Sequence, residues 1–188
     1  ETVLVLCGII VSGFMAAIIG LLKYIADPDT ELQDIVYWQL GSLAKVTWDN
    51  LIYVLSIIIF GTIAVLALRW RLNILSLSDQ EAQSLGVNVN RERLVIIGIS
   101  TLLTAAAVCL SGTIGWVGLV IPHLSRMLVG NDHKKLIPAT ILVSASFLMI
   151  ADLFARSLTT AEIPLGILCG FIGTPFFAWV LYKQRRYF

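Results

Sequence analysis

A chain of 188 residues that is 58% hydrophobic and 13% charged, with a mean hydropathy of +0.90, carries about half the charged fraction of a soluble domain, where it is about 25%. Disorder is excluded, since it needs low hydrophobicity and a large net charge. The 13 basic and 12 acidic residues balance to +1 without a Lys/Arg run, which excludes an electrostatic nucleic-acid footprint and leaves an integral membrane protein with room for six crossings of about 20 residues each.

The chain opens on Glu1-Thr2 rather than Met and is read as the C-terminal part of a longer polypeptide. Its first charge-poor run covers residues 3–26. An acidic segment follows, with Asp27, Asp29, Glu31, Asp34 and Asp49 against Lys45 alone, and within it residues 34–42 read as a short amphipathic element ending at Gly41-Ser42, either a gate or an interfacial helix. The second run is 51–68, after which Arg69, Arg71, Arg91 and Arg93 mark a long polar segment. The third run, 94–122, is too long for one tilted helix and too short for two full ones, and it holds the turn-prone Ser111-Gly112-Thr113-Ile114-Gly115. Runs at 136–151 and 163–182 complete the chain, and Cys7, Cys109 and Cys169, far apart and each in an apolar run, read as small buried hydrophobes.

Loop charge resolves the third run. Short cytoplasmic loops carry the excess of Lys and Arg, so the segment with four arginines belongs inside and the acidic segment outside. A single crossing over 94–129 would place Arg126, Lys134, Lys135, Lys183, Arg185 and Arg186 outside, whereas a double crossing that turns near Gly112 places all of them inside. The double crossing fits. The expected fold is therefore an all-α, polytopic helical bundle of six crossings, with the C-terminus in the cytoplasm. Trp48, Tyr53 and Trp116 fall near the outer boundary, and Trp70, Trp179 and Tyr182 near the inner one. The fourth crossing is short and contains Pro122, His123 and Arg126, so neighbouring helices should shield it.

Few residues offer chemistry. His123 is the one mid-membrane titratable candidate, read as a buried imidazole meeting the carbonyls freed by Pro122, with a proton relay or ligand role as the alternative. Motifs of metalloproteases and serine hydrolases are missing, as is a GxxxxGK[ST] phosphate loop, so nucleotide-driven work needs a separate subunit. In the long polar segment, Ser78 followed by Glu81 three residues later, with Gly86 as a stop, signals a short helix whose apolar side is Leu77, Ala82 and Leu85. This is either a solvated connector or a docking surface for a partner. Gly166, Gly170 and Gly173, at helical spacing, permit close helix approach, within the subunit or at a dimer interface.

Several segments together resemble one family. They are Tyr37-Trp38-Gln39-Leu40-Gly41-Ser42, Arg71-Leu72-Asn73, Asp79 to Val87, Gly112 to His123, Asp132-His133-Lys134-Lys135, Ala151 to Arg156, Glu162 to Gly166 and Gly173 to Phe177. In this order and spacing, the chain is similar to the permease subunits of type II ABC importers, the FecCD-like family that carries iron-siderophores, haem, cobalamin and, in some members, molybdate or related oxyanions.

The resemblance implies a ten-crossing permease of which residues 1–188 form a single domain holding the last six. It makes residues 76–90 a cytoplasmic coupling segment in which Ser78, Asp79, Gln80, Glu81, Ala82, Gln83, Ser84, Leu85 and Gly86 dock on an ATPase subunit. The family often has Gly where Ser78 stands. Arg156 matches an outward-facing arginine that meets the substrate-binding protein, although Asp152 one turn away offers it a local partner. The implied assembly is a homodimer of permeases with two ATPase subunits and a periplasmic or lipid-anchored binding protein in the inner membrane. No cofactor or metal is expected on this chain, with ATP and Mg held by the ATPases. A secondary transporter or channel, sensitive to loss of His123, is the alternative.

Overall fold

The computed structural model describes residues 2–158 and 162–184. Among them the secondary structure is entirely helical, with eight helices that group into two compact units, Glu1–Gln39 and Leu40–Phe188.

The first unit holds α1 (Thr2–Ile25) and α2 (Glu31–Gln39). At about 1.5 Å per residue, α1 is long enough to cross a bilayer, and it is apolar around its whole circumference with no described residue buried. Such a surface calls for lipid or other helices. Before α2, the Asp27 carboxylate accepts the Asp29 N–H (2.8 Å) and the Asp27 carbonyl accepts the Leu32 N–H (3.0 Å). Glu31 and Asp34 in the first turn favour the positive end of its dipole, so the amphipathic element expected before Gly41 is a helix.

The second unit comprises α3 (Trp48–Leu75), α4 (Asp79–Ser84), α5 (Val89–Ser111), α6 (Val117–Val129), α7 (His133–Ser157) and α8 (Leu165–Gln184). Together with α1, helices α3, α5 and α7 are long and apolar enough to span a membrane, while α6 and α8 are shorter apolar helices. The described residues thus include six apolar helices in the expected order, four of full spanning length.

The third charge-poor run does break in two. Helix α5 stops at Gly112 and α6 starts at Val117. Being 13 residues long, α6 rises only about 20 Å, less than a hydrocarbon core of about 30 Å. The Gly41-Ser42 backbone covers one side of the break: the Ser42 N–H donates to the Ser111 carbonyl (2.8 Å), a Cβ on Gly41 would lie 2.7 Å from the Thr113 carbonyl oxygen, and Gly112 is buried. Irregular backbone at membrane depth is tolerated where other segments cover it in this way. Trp116 has φ +67°, the one non-glycine residue at positive φ among those described. That backbone costs about 1–2 kcal/mol. It is held by the seat of Trp116 on α8, with its ring 6.2 Å from that of Phe177 and its Cβ over Gly173.

The long polar segment holds the expected short helix, but less of it is connector than the charges from Arg69 to Arg93 suggest. Helix α3 continues through Arg69 and Arg71 to Leu75, and α5 already begins at Val89. Charge ended the apolar run without ending the helix, because arginine is a good helix former. What remains as connector is Ser76 to Ser78 and Leu85 to Asn88, flanking α4.

The helix ends sort into two groups. At one end the last turn of α3, α4, the start of α5 and the α6–α7 turn come together, since Asn73 hydrogen-bonds Asp132 and His133. At the other end Ala151, Ala155 and Leu165 form a cluster with Leu43, Ile114 and Leu168. Arg69, Arg71, Arg91, Arg93, Arg126, Lys134 and Lys135 therefore all belong to the first end, the sorting that a double crossing requires. Arg185 and Arg186, assigned to that side by the same rule, lie outside the described residues.

Candidate functional site

Helix α4 is a two-turn element stabilised at both termini. The Ser78 hydroxyl accepts the Glu81 N–H (3.3 Å), while Glu81 Oε2 accepts the Ser78 N–H (3.0 Å) and hydroxyl (2.8 Å), a complete capping box. These bonds, the Ser78 hydroxyl first and its N–H second, hold the Glu81 carboxyl below its ordinary value. At the other end the Gly86 N–H reaches the Gln83 carbonyl (2.9 Å) and the Val87 N–H the Ala82 carbonyl (3.3 Å), the bond pair of a Schellman motif. Gly86 has φ +76°, a conformation only glycine adopts without cost.

One side chain anchors this helix. Ala82 is 1% exposed and packs with Ile74 from α3 and Val89 from α5, flanked by Leu75 and Val87. The expected apolar side of Leu77, Ala82 and Leu85 is not formed: Leu77 is 44% and Leu85 61% exposed. Only Ala82 is close enough to α3 and α5 to be covered. Two leucines are left outward beside the exposed Asp79, Gln80, Gln83 and Ser84. This is an apolar and acidic surface with a rigid backbone, suited to a protein partner. Arg93 of α5 reaches the Asp79 carboxylate (3.1 Å), and Arg71 of α3 pairs with Glu92 of α5, so the flanking helices are tied across the base of α4. Neither pair was legible from periodicity, because both join residues 14 to 21 positions apart.

At the far end of α7, Arg156 is clasped by its own chain: its Nε donates to Asp152 Oδ2 (2.8 Å) and its Nη1 lies 3.7 Å from Glu162. The guanidinium side chain remains 45% exposed, so a partner carboxylate can still approach it.

The three glycines of α8 fall into two settings. A Cβ on Gly166 would lie 2.2 Å from the Leu40 carbonyl oxygen, and the Gly166 N–H donates to that oxygen (3.1 Å) and to the Gly41 carbonyl (3.3 Å). A Cβ on Gly173 would lie 2.5 Å from Trp116 Cβ. Both are filled by contacts within this chain. Gly170 has only ordinary clearance from Trp116 (3.9 Å) and, with Ile167, Phe171, Thr174 and Pro175, lines an open apolar groove of about 470 Å³ that also reaches Gly166.

His123 is half-buried and its side chain makes no hydrogen bond among the described residues, so the expected contact of the imidazole with carbonyls freed by Pro122 is absent. The described residues include no cluster of three His, Cys, Asp or Glu side chains able to hold a metal ion.

The FecCD transport family matches residues 1–183, and the chain belongs to that family. It is 46% identical over 183 residues to the molybdate import system permease protein of Haemophilus influenzae, covering 97% of this chain and 54% of that one. It is 42% identical to the hemin transport system permease protein of Yersinia pestis, over 97% of this chain and 55% of that one. A probable iron chelatin transport system permease protein of Helicobacter pylori is 40% identical, with coverage of 97% and 56%. In structure, the chain is similar to a metal-chelate type ABC transporter solved in an inward-facing conformation, with a TM-score of 0.91 and 46% identity over 96% of this chain and 58% of that one. The chain thus spans about half the length of the curated relatives it matches.

Proposed function

We propose that this chain is part of the permease of an ATP-driven importer and that α4 docks on a separate ATPase subunit. The observation that carries the reading is the construction of α4. Antiparallel helices need only about 2–8 connecting residues, yet 13 residues lie between α3 and α5, folded into a helix capped at both ends and held by one alanine. A connector needs none of this; a lever that receives a push without unravelling does. The relatives named for molybdate, hemin and iron chelate support a cargo that is a metal chelate or an oxyanion of the molybdate kind.

In this reading the end carrying α4 faces the cytoplasm, as does the C-terminus, and the subunit is a multi-pass protein of the inner membrane. Two permeases pair around a central pathway, two ATPases dock below with ATP and Mg, and a binding protein docks above at Arg156. ATP-driven closure of the ATPases displaces α4 and biases the bundle between inward-open and outward-open states. Because α8 and α1 are apolar and their spans hold no fixed charge at mid-depth, selectivity rests with the binding protein.

The test is substitution on the exposed face of α4. In the intact importer reconstituted in vesicles, Asp79→Lys or Glu81→Lys is expected to disconnect ATP hydrolysis from uptake. Normal coupling in both variants overturns the docking role.

A further inference from the structure

The last turn of α3 grips two other elements at once. Ile74 packs on Ala82 of α4, and its neighbour Asn73 grips the start of α7 some 60 residues away. The Asn73 amide uses both of its halves. Its Nδ2 donates to Asp132 Oδ1 (2.6 Å), and its Oδ1 accepts the His133 backbone N–H (2.8 Å) and faces His133 Nδ1 at 2.7 Å. The backbone donor fixes which half of the amide is oxygen, so His133 Nδ1 carries the proton in this contact.

Capping α7 does not by itself require Asn73. Asp132 caps the helix through its own chain, its carboxylate accepting the Lys134 N–H (3.0 Å) and its carbonyl the Leu136 N–H (2.8 Å). The neighbours of Asn73 on α3 reinforce the grip: Arg69 Nη1 donates to the Lys134 carbonyl (3.3 Å), and the Lys134 ammonium lies 5.9 Å over the Trp70 ring. The consequence is a continuous solid connection. Helix α4 bears on the end of α3, that end holds the first turn of α7, and α7 runs 25 residues, about 37 Å, to Arg156.

We propose that Asn73, through Asp132 and His133, is the linkage that hands displacement of α4 to α7 and so to the Asp152–Arg156 end. Asn73 is a positioning residue in this scheme, which rests on α4 being the ATPase-docking helix. An amide is suited to the task because it offers a donor and an acceptor in one plane, so α7 cannot slide without breaking three hydrogen bonds.

The experiment uses the intact importer with its ATPase and binding protein in lipid vesicles. Asn73→Asp keeps the acceptor toward His133 but sets a carboxylate against Asp132 with no proton to share. The expected result is continued ATPase recruitment and hydrolysis, with uptake per ATP reduced about tenfold, within the usual range of coupling free energies. Adding Asp132→Asn returns a donor to the pair and is expected to recover most of the loss, which a simple loss of stability at Asn73 would not show. Unchanged uptake per ATP in Asn73→Asp overturns the linkage, as does a loss that the double variant leaves untouched. Should Asn73→Asp lower the yield of folded permease, Asn73→Ser is measured in its place, and normal coupling there overturns the linkage equally. A wild-type permease that recruits no ATPase overturns the docking reading itself, a result distinct from coupled uptake in both wild type and variant.

Discussion

Replacing Gly166 by alanine sets a methyl group 2.2 Å from the Leu40 carbonyl oxygen, where an ordinary contact begins at 3.4 Å. The obstacle is backbone, so no side-chain rotation relieves it, and α8 must retreat by roughly 1 Å, the difference between those two distances. Retreat costs overpacking strain of about 1–3 kcal/mol. It also stretches the two hydrogen bonds from the Gly166 N–H to Leu40 and Gly41, each worth about 1 kcal/mol. The sum of about 3–5 kcal/mol corresponds to a melting temperature lower by roughly 6–20 °C for a unit of this size. Thermal unfolding of the detergent-purified permease, followed by near-ultraviolet circular dichroism, measures it. Gly170→Ala is the control, because its nearest neighbour is Trp116 Cδ1 at 3.9 Å, and it should melt with the wild type. Equal melting of Gly166→Ala and wild type would refute the reasoning. A Gly170→Ala variant that melts normally but loses its paired state on size-exclusion chromatography would place a second chain in the groove beside Gly170.

Gly173→Ala drives a methyl group to 2.5 Å from Trp116 Cβ; because Trp116 is already at positive φ, a cost of about 1–3 kcal/mol is expected, read from the same melts and from altered Trp fluorescence. Ser78→Ala removes the capping acceptor and should cost about 1 kcal/mol of α4 stability, seen as roughly fivefold faster amide exchange at Gln80 to Ser84, with no change in α5. Acid should loosen the same end of the bundle. Glu81 and Asp132 both have depressed folded values, Glu81 through Ser78 and Asp132 chiefly through the Asn73 amide and the Lys134 N–H. Their contribution is therefore complete above the ordinary carboxylate values of 4.5 and 3.8 and is lost as pH falls through the lower folded ones. Amide exchange in α4 and the first turn of α7 should accelerate below about pH 4, and exchange that is flat across this range counts against both bond sets. Arg156→Ala leaves Asp152 and Glu162 without their cation and should weaken binding-protein capture by about 2 kcal/mol, near 30-fold, where the ion pair is desolvated on docking; surface plasmon resonance with the permease in nanodiscs checks it.

The sequence by itself determined the class, the helix count and the sorting of helix ends. Those follow from quantities summed over many residues: mean hydropathy, the length of each apolar run and the side on which Arg and Lys collect. It also located α4, because a capping box and a glycine stop are local chemistry written within nine residues, Ser78 to Gly86.

Tertiary structure alone decided which face of α4 is open. Leu77 and Leu85 have the composition of a buried side, but only Ala82 meets Ile74 and Val89, and no periodicity in six residues could reveal that. It likewise divided the glycines of α8, since Gly166, Gly170 and Gly173 are equivalent as a pattern and differ only in what approaches them. The Asn73 grip on Asp132 and His133 is another such case. A polar contact between residues about 60 positions apart leaves no mark in composition, run length or spacing, and comes into being only when α3 and α7 are set side by side.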